Sequence, residues 1–508
     1  MIIVTAGAAL ILPARAQTNQ ASTSAHSPSS VEQMIRDMKN PAPWLSWGGD
    51  LRLRNEYFNN AMTLTSDPNV NPKNASLHEQ DYFRFRGRLW ASITPAEDFT
   101  FNTRVTAEPK WYTKPASVGT HYNQTGMEWR YGIVDALNVQ WREPLKLPAT
   151  LTVGRQDIGL GDGWLVKDGT SYEGSWTYFL DAARLTYELA EQKTTIDAIG
   201  ILQYGRPDAW LPTIGSSTSA GSPPYLLTDQ DERGAILWIA NKSLPAANLD
   251  GYFIYKHDTR LNNDPAAACG DNADIFTVGG RISGVLKTHW YYSFEGAYQF
   301  GQKQDPLLNK VVNGTADNPY LDPSAQTDGY RTLDAFGLNS KFGYQFKDKL
   351  NNEVFLFYEF LSGDDPKTGN DEMFDVLWGR YVRLSEIYNA FAYTSETRIN
   401  QIANLHRFGP GWGFNPITNM NFTLSYNLLY ADQAVPTRQS VAPAAGSTTT
   451  PFTGTDNFRG HYLQAILRYK FSEHLSGHLW SEFVFPGHFY TSCGETMTFL
   501  RAELVFTF

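Results

Sequence analysis

The chain has 508 residues and a formal net charge of −10, a balance that excludes a nucleic-acid binder, which needs a basic face. Its 30 Phe, 27 Tyr and 14 Trp make 14% of the sequence aromatic, yet the mean hydropathy is −0.38. No run of about 18 apolar residues appears beyond the N-terminal stretch, which excludes a helical membrane span there.

Ile2–Leu12 is the one long apolar stretch, and it leads to Ala14-Arg15-Ala16, a small-residue pattern that predicts an export signal over 1–16 cleaved after Ala16. Residues 17–43 read as a linker: the Ser/Thr/Gln/Asn-rich 17–30 is predicted disordered, and 31–40 a short helix stopped by Pro41 and Pro43. From Trp44 to Phe508 the pattern changes to alternating segments of about ten residues, the length that a tilted strand needs to cross a bilayer.

The first such segment sets Trp47, Leu51, Leu53 and Tyr57 against Asp50, Arg52, Arg54 and Glu56. The second sets Phe83, Phe85, Gly87, Leu89 and Ala91 against Arg84, Arg86, Arg88 and Trp90. The last, 496–508, sets Leu500, Ala502, Leu504, Phe506 and Phe508 against Phe499, Arg501, Glu503, Val505 and Thr507. Strict alternation of this kind places one face in lipid and the other in a polar lumen. Short connections (94–98, 287–288, 347–351, 472–474) alternate with long ones (59–78, 205–230, 303–329, 431–457). The pattern predicts an all-β fold, a closed antiparallel transmembrane β-barrel in the outer membrane, with short periplasmic turns and long extracellular loops. The count is 18 strands, or 16 if two of the three faint segments (127–142, 193–204, 398–414) drop out. The terminal Phe508 resembles the signal read by outer-membrane assembly machinery.

Alternation points Arg52, Arg54, Arg84, Arg86, Arg88, Arg104, Arg184, Arg281, Arg468 and Arg501 into the lumen. Six of them fall on the first three strands, against Asp50, Glu56 and Glu108 on the same faces. Guanidinium groups facing a narrow aqueous pore hold carboxylates bidentately and favour anions. Lumen acids, among them Glu188, Glu295, Glu482 and Glu503, offer the opposite reading, a neutral cross-strand ladder that props the barrel open.

Val153–Leu185, VGRQDIGLGDGWLVKDGTSYEGSWTYFLDAARL, resembles the signature segment of the alginate-export family, and the layout of 44–508 is similar to that family throughout. Gly154, Arg155, Gln156, Gly161, Asp162, Asp181, Ala182 and Arg184 match its pattern. Gly163-Trp164, where the family carries Arg and an aliphatic residue, and the extra Ala in FLDAARL depart from it. The resemblance implies a monomeric 18-stranded barrel with an arginine-lined, electropositive lumen and pore-gating loops, through which an anionic uronic-acid polysaccharide is exported. Synthesis or export proteins of the periplasm would be its partners. From the residues themselves, Asp162 and Asp181 are expected to pin Arg155 or Arg184 by charge-assisted bonds in a loop folded into the pore. Arg155 joins the ten lumen arginines as a candidate contact for the polymer.

Other features carry less. Cys269 and Cys493 sit in polar stretches, with a loop-to-loop disulfide and free thiols both open. His406, His461, His474, His478 and His488 lack metal-ligand spacing, and no nucleophile motif or phosphate loop occurs, so neither catalytic residue nor cofactor is expected. Arg380, Tyr381 and Arg383 read first as a salt-bridged surface loop, with a sugar-landing site as the alternative. The rival functions are an uptake porin for small anionic solutes or oligosaccharides, an outer-membrane enzyme with paired carboxylates, and a plugged structural barrel.

Overall fold

The computed structural model describes residues 34, 38–61, 63–67, 78–114, 127–128, 132–168, 179–205, 211, 214, 228, 230–261, 272–304, 330–365, 367–379, 385–387, 403–434, 452–490 and 494–508. The export signal, linker residues 17–33 and 35–37, both cysteines and Arg380–Arg383 lie outside them.

Eighteen antiparallel strands form one closed barrel. In chain order they are β1 (Leu45–Asn59), β2 (Glu79–Ala96), β3 (Phe99–Ala107, continued by Lys110–Lys114), β4 (Met127–Glu128 with Ile133–Arg142), β5 (Ala149–Gln156), β6 (Leu180–Leu189), β7 (Thr194–Gln203), β8 (Gln230–Leu244) and β9 (Ala247–Arg260). The second half comprises β10 (Ala273–Leu286), β11 (Trp290–Gln304), β12 (Tyr330–Gln345), β13 (Glu353–Leu361), β14 (Leu405–Phe414), β15 (Met420–Tyr430), β16 (Phe458–Lys470), β17 (Leu475–Pro486) and β18 (Met497–Thr507). Each strand pairs with its sequence neighbours, and β18 closes on β1 from Thr507↔Asp50 to Thr498↔Asn59. Phe508 extends this seam by exchanging backbone hydrogen bonds with Gly49 at 3.0 and 3.1 Å. The break in β3 falls at Glu108-Pro109: Pro109 has no N–H to give, but its carbonyl still accepts from the Phe85 amide at 3.0 Å.

The alternation has a direct physical outcome. Leu51, Leu53, Leu89, Leu237, Phe253, Phe294, Leu356, Leu479 and Leu504 are exposed on the outer wall, where lipid covers them, while Arg52, Arg54, Arg84 and Arg86 are buried on the inner wall. Aromatic pairs cluster at the short-turn end: Trp47 with Phe508, Phe99 with Trp141, Trp290 with Phe342, Trp412 with Phe414 and Tyr469 with Phe471. Such rings suit the headgroup level, where one edge is apolar and the other wet.

Candidate functional site: the lumen

Two long connections supply segments that enter the barrel. Residues 157–168, after β5, and 362–379, after β13, pair through a Val166–Trp378 bridge. Trp378 N donates to Leu165 O, and Lys167 N donates to Trp378 O, both at 3.0 Å. Trp164 and Trp378, 1% and 0% exposed, pack among Leu165, Val166, Ile236, Ile254, Ile275 and Phe374. Each indole N–H reaches a buried wall carboxylate, Trp164 to Glu359 at 3.2 Å and Trp378 to Glu232 at 3.0 Å. Satisfying that donor is what makes a tryptophan acceptable in such a core. One side of the lumen is therefore filled by a dry wedge that these two segments share with the wall.

The wedge is tied at its edges by charge. Asp162 accepts from Arg281 at 2.7 Å and from Ser293 at 2.5 Å, and Arg281 also holds Asp250 at 2.6 Å. Asp375 lies 3.7 Å from Lys256 and 3.6 Å from Lys303, and Lys256 also holds Asp258 at 2.9 Å. In the same connection, burial and the neighbouring Asp364 push Asp371 up to about 6, against the pull of Lys303 and Arg331. Among the described residues, no group of three or more His, Cys, Asp or Glu is placed to hold a metal ion.

The signature residues behave as a brace. Arg155 forks onto Asp181 at 2.8 and 3.0 Å, with its guanidinium 3.8 Å from the centre of the Phe179 ring. Gln156 donates to the carbonyls of Ala182 at 3.0 Å and Gly154 at 3.2 Å. Thus Asp181 pins Arg155, as expected from the sequence. Asp162 pins neither expected arginine, because the loop carries it across to Arg281, and Arg184 is held instead by Asp197 at 2.8 Å. Gly161, at φ +57°, lies so close to the Trp238 ring that a Cβ would come within 3.0 Å of it. Gly154, at φ +119°, sits where a Cβ would meet the Leu137 carbonyl oxygen on β4. Gly154→Ala is expected to destabilise the barrel by about 1–3 kcal/mol, seen as a lower urea midpoint when refolded in lipid vesicles.

The opposite arc, β18–β1–β2–β3, carries the arginine ladder. Register sets Arg52 opposite Arg86 and Arg54 opposite Arg84 on one side, and Arg54 opposite Glu503 and Glu56 opposite Arg501 on the other. Like charges abreast repel, so carboxylates interleave. Asp50 accepts from Arg86 at 3.2 Å and lies 2.5 Å from Arg88. Glu108 accepts from Arg52 at 2.9 Å, and Glu56 from Arg501 at 2.7 Å, with Arg84 3.5 Å away. Arg54 pairs with Glu503 and Arg501 with Glu386, a residue of the β13–β14 connection. Among the described residues, Arg52, Arg54, Arg84, Arg86, Arg88 and Arg501 thus meet Asp50, Glu56, Glu108, Glu386 and Glu503, and Lys110 acts on Glu56 as a seventh cation to these five carboxylates.

Sequence reasoning placed these arginines toward the lumen, and they do point there, but they are not bathed by water: Arg84 and Arg86 are each 2% exposed. Partner carboxylates cover them, several from outside the strands compared in the sequence. Arg104 is held by Asp135 and, bidentately, by Asp157, all at 2.8 Å. Arg468 faces inward on β16 opposite His478. Glu232, Asp250, Asp258, Lys256 and Lys303 lie at inward positions of alternating strands and were findable by parity. Asp375 lies on irregular chain and Glu386 on a short helical stretch of the β13–β14 connection, where no strand alternation marks them.

With this geometry in place, comparison with known proteins is decisive for the family. The alginate export family matches residues 227–502, more than half of the chain. The chain is a member of the alginate export family. The match runs from the approach to β8 into β18 and contains Arg281, Arg468 and Arg501. The family and the closed barrel together make the protein a multi-pass outer-membrane channel. No curated protein matches the sequence. Among solved structures, the chain is similar to OccK8 (OprE) of Pseudomonas aeruginosa, with a TM-score of 0.51 and 12% identity over 91% of this chain and 98% of that one. It is also similar to OccAB1 of Acinetobacter baumannii, with a TM-score of 0.52 and 11% identity over 91% and 96%. At these identities the likeness is one of fold, and it places the alginate-export barrel described here in that architecture.

Proposed function

We propose that this channel conducts an anionic polysaccharide of the alginate type, a uronic-acid polymer, and passes it outward. The observation that carries the reading is the ladder on β18–β1–β2–β3, with seven cations to five carboxylates among the described residues. A polyuronate presents one carboxylate per sugar. Guanidinium groups already paired with wall carboxylates can exchange partners step by step, so the chain advances without leaving a bare buried charge. A low-dielectric wall opposite, built from the Trp164–Trp378 wedge, strengthens the field felt by the cargo. The reading assigns conduction and not catalysis, one barrel per channel, Phe508 as the mark for the assembly machinery, and periplasmic synthesis or export proteins as partners.

A second reading, selective uptake of small anionic solutes or oligosaccharides, is favoured by one observation: both inserted segments narrow the lumen. Purified channels in planar bilayers separate the two. On the polysaccharide reading, oligouronates added on the periplasmic side block the current for times that lengthen with each added sugar beyond about four, and addition on the external side is less effective. Block that stops lengthening at one or two sugars and prefers the external side would instead support uptake.

A further inference from the structure

Ser385–Ile387, a described piece of the β13–β14 connection, is seated on β17 and β18 by unusually complete bonding. The Glu482 carboxylate, 0% exposed, accepts from Ser385 Oγ at 2.7 Å, Glu386 N at 3.1 Å and Ile387 N at 3.2 Å. Ile387 is fully buried in an apolar cluster with Leu405, Tyr462 and Val484. That seat delivers the Glu386 side chain, 3% exposed, onto Arg501. Arg501 is braced from behind, because Trp480 and Phe499 lie 5.3 and 4.9 Å from its guanidinium, and its Nε donates to Glu56 at 2.7 Å.

We infer that Arg501 is a carboxylate-binding subsite of the conduction path, and that Glu386 occupies it as an internal stand-in for the carboxylate of a sugar acid. The inference rests on the proposed anionic cargo and names where its carboxylate docks. Glu56 and Glu386, the carboxylates paired with Arg501 among the described residues, differ in one respect. Glu56 belongs to β1 and is fixed in the wall, whereas Glu386 belongs to a connection that the barrel ladder does not include. Only Glu386 can leave while the barrel stays intact. Exchanging it for a cargo carboxylate preserves both the charge count and the bond to the guanidinium, so the buried arginine is never left bare. A neutral sugar offers no such exchange. The subsite therefore selects for acidic sugars by requiring a competitor of equal charge.

The test uses the full-length channel in planar bilayers, with glucuronate as the probe and glucose as the neutral control. Glu386→Gln removes the competing charge and is expected to lower the glucuronate concentration for half-block about tenfold, with glucose inert in both proteins. Arg501→Gln should abolish the glucuronate block. Ser385→Ala, which loosens the same segment from Glu482 without touching Arg501, should move half-block in the same direction as Glu386→Gln by a smaller factor. It carries the test if the Glu386 variant does not assemble. If the wild-type channel prefers anions but neither loop variant shifts half-block by more than twofold, the subsite is refuted while the anionic-cargo reading stands. A cation-selective wild type would overturn the anionic-cargo reading itself.

Discussion

Replacing Trp164 and Trp378 together with alanine is expected to raise single-channel conductance several-fold while the barrel still assembles. The two indoles are the largest fully buried side chains of the molecule's described residues, and they sit where the two inserted segments meet. Each truncation removes its contacts and leaves a cavity, an effect worth about 3–5 kcal/mol for Trp→Ala in a packed core. Each also deletes the N–H that satisfies a buried carboxylate, Glu359 or Glu232, which adds a further penalty. Against that loss stand the Val166–Trp378 and Leu333–Asp371 bridges, the ties from Asp162 and Asp375, and the bonds of Arg331 to Asp364 and of Gln299 to Asp375, which hold the edges of the wedge and not its hollowed centre. The wall does not depend on the wedge, since its strands are hydrogen-bonded all the way round. Single-channel recording reads the effect, and an unchanged conductance would mean that the wedge lies off the conduction path.

The second large effect is expected from the charge cluster, and it has opposite signs for opposite charges. Neutralising Arg86 and Arg88 by glutamine takes from Asp50 the two arginines that hold it and brings the cluster, among the described residues, from seven cations against five carboxylates to five against five. Chloride preference should fall close to nothing. The same change leaves a buried carboxylate short of cations, so the variant should also lose about 3–5 kcal/mol in urea unfolding from vesicles. Glu108→Gln works the other way: it leaves Arg52 with Glu503 at 3.9 Å and should raise chloride preference. Equal shifts in the same direction for both variants would show that the cluster acts through shape and not charge.

How much of this was legible in the sequence depends on whether a residue lies on a regular strand. Period-two alternation is a local property, so the faces of β1, β2 and β18, the even strand number and the inward direction of each arginine follow from the sequence alone. Which partner an arginine meets is not local. Arg54 meets Glu503 across the closing seam, 449 residues away in sequence, and Arg501 meets Glu386 from the β13–β14 connection. Comparing acids only within the first three strands left out both Glu503 and Glu386, as well as Asp135 on β4 and Asp157 beyond β5. The motif segment shows the same limit. Arg155 and Asp181 sit opposite each other in the β5–β6 register, so their pairing could be anticipated. Asp162 instead crosses the lumen to β10 and β11, a path that nothing in its neighbouring residues encodes.

The central claim, that a net positive conduction path serves an anionic cargo, is tested most directly by the reversal potential of the purified wild-type channel across a KCl gradient at low salt. The account predicts chloride preferred over potassium. That preference should shrink as salt rises toward the molar range, where screening shortens to about 3 Å. Potassium preferred over chloride at low salt would contradict it.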